Sequence, residues 1–171
     1  GLNLKKEDEK ILAFIQLPHQ RGKKVKVTAL VDQALITKAK AGCDGFVLLE
    51  DFKNLTKKQI KKLANNTDYF IAQANIMPKV AQTFGRVLGP RGMMPNPKAG
   101  CVVPPTADLK PIVTRLQNLV KIETKNELTI KTSIGSSTLK DEELAENALA
   151  IYNYVVHHIP QEKNNIKNIL I

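Results

Sequence analysis

The densest concentration of chemistry-bearing residues is the run GRVLGPRGMMPNPKAG over residues 85–100, where Arg86, Arg91 and Lys98 stand among glycines and prolines. Glycine lets backbone amides approach an anion, so one reading is a phosphate cradle. The run lacks the GK[ST] ending of a nucleotide-binding loop and the GxGxxG spacing of a dinucleotide turn. It contains no acid to hold Mg²⁺, and its three prolines remove amides from any cradle. A second reading is a rigid loop shaped for packing. A third is a proline-stiffened loop that presents three cations to an RNA backbone, its stiffness lowering the ordering cost of binding.

The other reactive side chains point to no chemistry. Cys43 and Cys101 stand far apart without a CxxC or CxxH neighbourhood, and two thiols cannot close a tetrahedral zinc site, so they read as packing residues. His157 and His158 are adjacent and share no helix face; at a helix end they favour the dipole. His19, beside Pro18, is unremarkable. Asp141, Glu142 and Glu143 fit a helix N-terminus, where anions are favoured. No Ser/His/acid set can be assembled, so no catalytic residue, cofactor or metal is expected and the chain reads as not an enzyme. Lys57, Lys58, Lys61 and Lys62 read as a solvated helix face, and Met77, Met93 and Met94 as packing.

Elements that could position the 85–100 run are legible on both sides of it. Residues 11–17 form an apolar run short enough for a strand, ended by Pro18, and residues 20–24 are a basic connector. Alternation predicts a strand over 24–31; Asp32 then caps a helix that Gly42 should end in the left-handed conformation. Strands at 45–50 and 69–74 and helices at 56–65, 77–84 and 108–118 continue the pattern, with 85–105 a Gly/Pro-rich loop. Strand–helix alternation at this spacing predicts a parallel sheet covered by helices. After residue 119 the character changes. Residues 120–124 and 128–134 alternate as a hairpin around Lys125, Asn126 and Glu127. Thr138 and Asp141 have capping-box spacing for a helix to about His158, and residues 166–171 look like a strand.

The expected fold is therefore α/β in two domains. Residues 24–119 form a parallel α/β domain II, inserted between 1–23 and 120–171, which pair as a discontinuous α+β domain I with an antiparallel sheet. Two connectors, at Arg21, Gly22, Lys23 and Lys24 and at Leu119 and Val120, would act as a hinge.

Charge narrows the partner. The 171 residues include 26 Lys and Arg against 16 Asp and Glu, a net +10 with a pI near 9.6, and a basic surface draws polyanions. Residues 1–68 carry 14 basic and 8 acidic groups, 69–120 carry 6 and 1, and 121–171 carry 6 and 7. The middle segment is basic because acids are missing. No apolar run approaches the roughly 18–20 residues that span a bilayer, no signal peptide is visible, and no membrane partner is expected. Aromatics at 5% disfavour a single-strand stacking platform, so structured RNA held through phosphates and shape fits better.

The run LGPRGMMPNPKAG at 88–100 resembles the signature of the ribosomal protein L-one family, the proteins of the mobile stalk beside the tRNA exit site. LPHQRGK at 17–23 resembles its first connector, most closely in archaeal members. DYFIAQ at 68–73 resembles the strand before the signature, and LAEN at 144–147 the start of its last long helix. The resemblance implies a discontinuous domain I and an inserted Rossmann-like, three-layer domain II. It implies a cytoplasmic protein on the ribosome, with the large-subunit rRNA stalk, exit-site tRNA, other ribosomal components and its own mRNA as partners. Functions implied are rRNA binding, release of deacylated tRNA and translational repression.

Positions matching the family's rRNA contacts are Thr124, Lys125 and Asn126, with Lys167 and Asn168; Arg91 and Lys98 are candidates in domain II. The family's N-terminal helix and first strand, and its Thr-Met-Gly turn, have no counterpart among these residues. The expectation is a piece of a longer protein that binds RNA weakly when isolated. The alternative from another class is a nucleotide- or phosphate-binding enzyme on the Rossmann-like domain.

Overall fold

The structure is a computed structural model and describes residues 11–124, 127–159 and 162–171. The chain divides into two compact units, one of residues 24–117 and one of residues 1–23 with 118–171.

In the first unit, strands β2 (Val27–Val31), β3 (Gly45–Leu48), β4 (Tyr69–Gln73) and β5 (Val102–Val103) make a parallel sheet in the order β3-β2-β4-β5. β1 (Leu12–Gln16) lies in the other unit. Thr28 pairs with Gly45 on one side and Phe70 on the other, and Ala72 with Val102. All five residues of β2 are buried, as expected of a central parallel strand covered on both faces. Helices α1 (Ile36–Gly42), α2 (Lys57–Asn65), α3 (Met77–Leu88) and α4 (Leu109–Gln117) supply the cover, α1 packing with α4 and α2 with α3.

One face of the sheet gives Leu30, Phe70 and Ala72 to a core with Ile60 and Ala64 of α2 and Val80, Phe84, Val87 and Leu88 of α3. Phe84 meets Phe52 edge to face, ring centres 5.0 Å apart. Burying a side chain of this size contributes about 1.5–3 kcal/mol. Met77, Met93 and Met94 pack on this core, as their sequence context suggests. The two chain ends of the unit are clasped together: Gln117 Oε1 accepts from Val25 N (2.8 Å) and Gln117 Nε2 donates to Val25 O (2.9 Å).

In the other unit, β1 (Leu12–Gln16) pairs antiparallel with β6 (Leu119–Glu123), Leu12 opposite Glu123 and Gln16 opposite Leu119. Ile11, Ala13, Ile15, Leu17, Val120 and Ile122 pack against Ile151 of helix α5 (Asp141–His158) and Ile159.

Four sequence expectations are corrected. Gly42 is the last residue of α1 and is not left-handed; the cap is Cys43, in extended backbone (φ −107°). A Cβ on Gly42 would lie 3.3 Å from Lys110 Cγ, so close packing of α1 on α4 is what a glycine serves there. Residues 127–140 contain no strand: Ile130 and Ile134 pack on the core, Leu128 is 63% exposed, and the edge of β6 that the hairpin needed is not taken up by them. Residues 166–171 are not a strand either; Leu170 is 94% exposed and pairs with no described strand. Thr138 does not cap α5, because its hydroxyl bonds to Ser136 while Glu143 accepts from Lys140 N (3.2 Å). Pro160 lies outside the described residues.

Candidate RNA interface

The 85–100 run is built on the C-terminal end of α3. Met93 N donates to Leu88 O (3.0 Å) and Gly92 N to Gly89 O (2.9 Å), with Gly92 left-handed at φ 65°. That is the hydrogen-bond pattern of a glycine C-terminal cap, and Met93 completes it by packing on the same core as Leu88. The chain then turns at Asn96, whose Oδ1 accepts from Lys98 N (2.8 Å) to cap a 3-10 turn over Pro97–Ala99. Cys101 N returns to Asn96 O (3.1 Å), and Cys101 O receives Ala72 N as β5 begins. Gly100 holds φ 70° beneath the Arg115 guanidinium, which donates to Ala99 O (2.8 Å). A Cβ there would lie 1.6 Å from Arg115 Nη2. The loop is thus fixed by its own turns, by the core and by Arg115.

This scaffold leaves Arg86, Arg91 and Lys98 exposed. Arg91 Nη1 donates to Asn65 Oδ1 (2.7 Å) at the end of α2. Arg86 and Lys98 make no side-chain hydrogen bond or ion pair among the described residues. In a parallel sheet the C-terminal ends of covering helices lie at the amino ends of the strands, and the segment before β5 lies there too. The cations of the run therefore share the amino edge of the sheet.

The carboxyl edge is different. Open α/β sheets bind ligands where strand order reverses, here between β2 and β4. That position is filled by a closed polar network. Fully buried Gln73 accepts from Asp32 N (2.7 Å) and donates to Asn75 Oδ1 (3.3 Å), and Asn75 donates to Asp32 Oδ2 (3.4 Å). The adjoining cavity, about 220 Å³, is lined by Asp32, Gln33, Ala34, Leu48, Leu49 and Glu50. Two carboxylates there repel a phosphate. Among the described residues no three His, Cys, Asp or Glu side chains cluster to hold a metal. Burial pushes the Cys43 and Cys101 thiols up to about 11, with Asp44 adding to the rise at Cys43.

In the other unit the expected contact residues are less uniform. Thr124 is buried and its Oγ1 accepts from Ile11 N (2.9 Å), tying the end of β6 to the start of β1. Lys125 and Asn126, which follow it, lie outside the described residues. Lys167 and Asn168 are exposed on a segment without regular structure.

The connector residues also separate. Gly22 lies against Ser136 and Thr138, and the His19 backbone is held by Asn147 of α5. Lys24 pairs with Asp44 (2.7 Å) inside the sheet unit. Lys23 is exposed and Arg21 half-buried, its Nε without a hydrogen-bond partner among the described residues. Leu119 and Val120 are not connector residues. They are buried strand residues paired with Gln16 and Ile15, and the return between units falls at 117/118. Two apolar residues beside a strand partner gain more from the ladder and core than from an open linker.

Sequence reasoning passed over Gln73, Arg115, Gln117 and Asn147. Gln73 and Asn147 are buried, Gln117 is half-buried and Arg115 is exposed, and composition singles out none of them; their partners lie far along the chain, and only the fold supplies them.

A model of the ribosomal protein L1p/L10e family matches residues 1–171. The large ribosomal subunit protein uL1 of Archaeoglobus fulgidus is 38% identical over 175 residues, which cover 100% of this chain and 79% of the relative. That of Thermococcus kodakarensis is 37% identical, covering 99% and 78%. That of Nanoarchaeum equitans is 36% identical, covering 99% and 83%. Matched along its length by the family model and by relatives at this identity, the chain belongs to the ribosomal protein L1p/L10e family, whose members are structural and not enzymatic.

Proposed function

We propose that this chain is a component of the large ribosomal subunit that clamps the rRNA stalk near the tRNA exit site, on cytoplasmic ribosomes. In this reading the unit of residues 1–23 and 118–171 is the discontinuous rRNA-binding domain I, and residues 24–117 are the inserted Rossmann-like domain II. Lys125, Asn126, Lys167 and Asn168 contact rRNA from the first, and Arg91 and Lys98 from the second. Thr124 acts through the backbone it orients. Motion of one domain about residues 21–24 and 117–118 assists release of deacylated tRNA. Binding of an mRNA fold that mimics the rRNA site represses the protein's own translation.

The observation that carries the reading is the loop of residues 85–100: three exposed cations and no acid, on a backbone held by turns and core contacts before any ligand arrives. A pre-ordered cationic loop suits phosphate contacts that position RNA. The nucleotide-enzyme reading has less support, because the glycines cap a helix C-terminus, where carbonyls and not amides face outward. No helix among the described residues is long and apolar enough to cross a membrane.

The test is a salt titration of binding to an rRNA stalk fragment with tRNA as competitor. Tight binding that survives excess tRNA, with log affinity linear in log salt, is expected. The R91Q/K98Q variant should lower the magnitude of that slope by roughly two, on the scale of about 0.9 per phosphate contact. Binding that disappears into the tRNA background would sink the stalk assignment.

A further inference from the structure

Helix α2 carries a charge arrangement that works against its own stability. Lys57 and Lys58 occupy its first two positions, the positive end of the helix dipole, and no acid lies in that turn. Lys57 repels Lys61, and Lys58 repels Lys62, each four residues on, where like charges face each other. All four lysines are exposed, and none makes a side-chain hydrogen bond or ion pair among the described residues. The N-terminal capping box is closed by Gln59, whose Oε1 accepts from Thr56 N (2.8 Å). Glutamate serves that position equally well and would relieve the repulsion.

The second observation is the continuation of this face. Lys58, Lys61, Lys62 and Asn65 recur at i, i+3, i+4 and i+7, a single stripe. Asn65 at its end accepts from Arg91 Nη1 at 2.7 Å, which sets the end of the α2 stripe beside the cationic loop after α3. Successive lysines four residues apart stand about 6 Å apart along the helix axis. That is comparable to the separation of neighbouring phosphates along a nucleic-acid strand.

We propose that the exposed stripe of α2, Lys58, Lys61 and Lys62 continued by Arg91, is a second RNA-binding surface that follows the sugar-phosphate backbone of double-helical RNA without reading sequence. The inference extends the RNA-binding reading above but rests on its own charge geometry. Lysine ammonium groups are point charges on flexible stems, suited to a backbone met in variable register; they lack the planar fork that fixes one bidentate contact. With few aromatics on the chain, affinity comes from counterion release and not from stacking.

The experiment compares K61Q/K62Q with K40Q/K110Q in the full chain. Both remove two exposed positive charges, the second pair from α1 and α4, which pack with each other, whereas α2 packs with α3. The probe is a short RNA duplex of arbitrary sequence. K61Q/K62Q should weaken binding roughly tenfold at low salt and lower the magnitude of the log–log salt slope by roughly two, while K40Q/K110Q changes both far less. The K61Q/K62Q protein should melt close to the wild-type temperature, since the removed i,i+4 repulsion offsets the lost dipole interaction of Lys62 in the last turn, which separates lost binding from lost folding. Equal losses in the two variants would mean that net charge alone acts, and the proposal fails. Loss of binding to phosphatidylserine vesicles in K61Q/K62Q, with duplex binding unchanged, would overturn it in favour of a membrane surface. Failure of the stalk assignment is read separately, as a wild-type protein that does not prefer the stalk fragment to the duplex.

Discussion

Asn147 and His19, 128 residues apart, exchange two hydrogen bonds: His19 N donates to Asn147 Oδ1 at 3.0 Å, and Asn147 Nδ2 donates to His19 O at 3.2 Å. The same amide donates to Ile134 O at 2.8 Å, and the side chain is fully buried. One residue of α5 therefore fixes both the connector that leaves β1 and the loop that precedes α5. The His19 ring, bonded through Nε2 to Glu146 Oε2 at 2.5 Å, adds a second, exposed tie.

Asn147→Ala should destabilise the protein by about 2–4 kcal/mol, since it strands one N–H and two carbonyls on half-buried backbone. Urea unfolding followed by circular dichroism measures this. His19→Ala should cost far less, because an exposed pair is screened. Equal losses in the two variants would show that the buried amide is not the dominant tie.

Gly100→Ala should cost about 1–3 kcal/mol, from the left-handed backbone and from displacement of the Arg115 guanidinium off Ala99 O. Arg115→Ala removes the obstacle but not the backbone cost. In a double-mutant cycle the combined variant should be less destabilised than the sum of the two singles. Strict additivity would mean that the guanidinium does not oppose the new methyl.

The Lys24 ammonium beside Asp44, with the Val27 amide, holds the Asp44 carboxyl below its ordinary value of 3.8 despite some burial. A pKa lowered on folding contributes stability above the unfolded value and loses it as pH falls through the lower folded value. Asp44→Asn should therefore destabilise the protein at neutral pH and have progressively less effect as pH falls below the carboxylate range. Thermal melts from pH 7 to strongly acid check this; a pH-independent effect would assign the loss to packing.

Both thiols should resist alkylation in the folded protein. With pKa values raised to about 11 by burial, few thiolates exist near neutral pH, and the thiolate is the nucleophile. Iodoacetamide at pH 7.5 should label Cys43 slowly and Cys101, only 2% exposed, more slowly still. Both should react promptly in denaturant. Rapid labelling of Cys101 in the native protein would mean that the loop before β5 opens readily.

Much of the sheet unit is legible in the sequence because its signals are local. Alternation marks β2, the apolar stripes mark α2, α3 and α4, and the glycine, proline and asparagine of residues 89–100 have few conformations open to them. The run at 88–100 was also specific enough to indicate the family. The expected strands at 128–134 and 166–171 do not form, for one reason: alternation marks which side chains could face a core, whereas a strand also needs a partner edge with free N–H and C=O groups. Leu119 and Val120 show the converse. They look like a boundary in sequence and become strand only because Ile15 and Gln16 lie opposite.

By itself the sequence determined the net positive charge, the acid-poor segment around residues 69–120, the strand–helix alternation and the position of the cationic glycine-rich run. These follow from side-chain type and short-range spacing. The tertiary structure decided that the glycines cap a helix C-terminus, that Gln73 and Asp32 fill the crevice a cofactor would use, and that Asn147 holds the connector. It also decided that Arg91 meets the lysine stripe of α2. The cap itself is local, but each of the others depends on residues far apart in the chain reaching hydrogen-bond distance, and the free energy that brings them there comes from burying the core, not from the polar groups themselves.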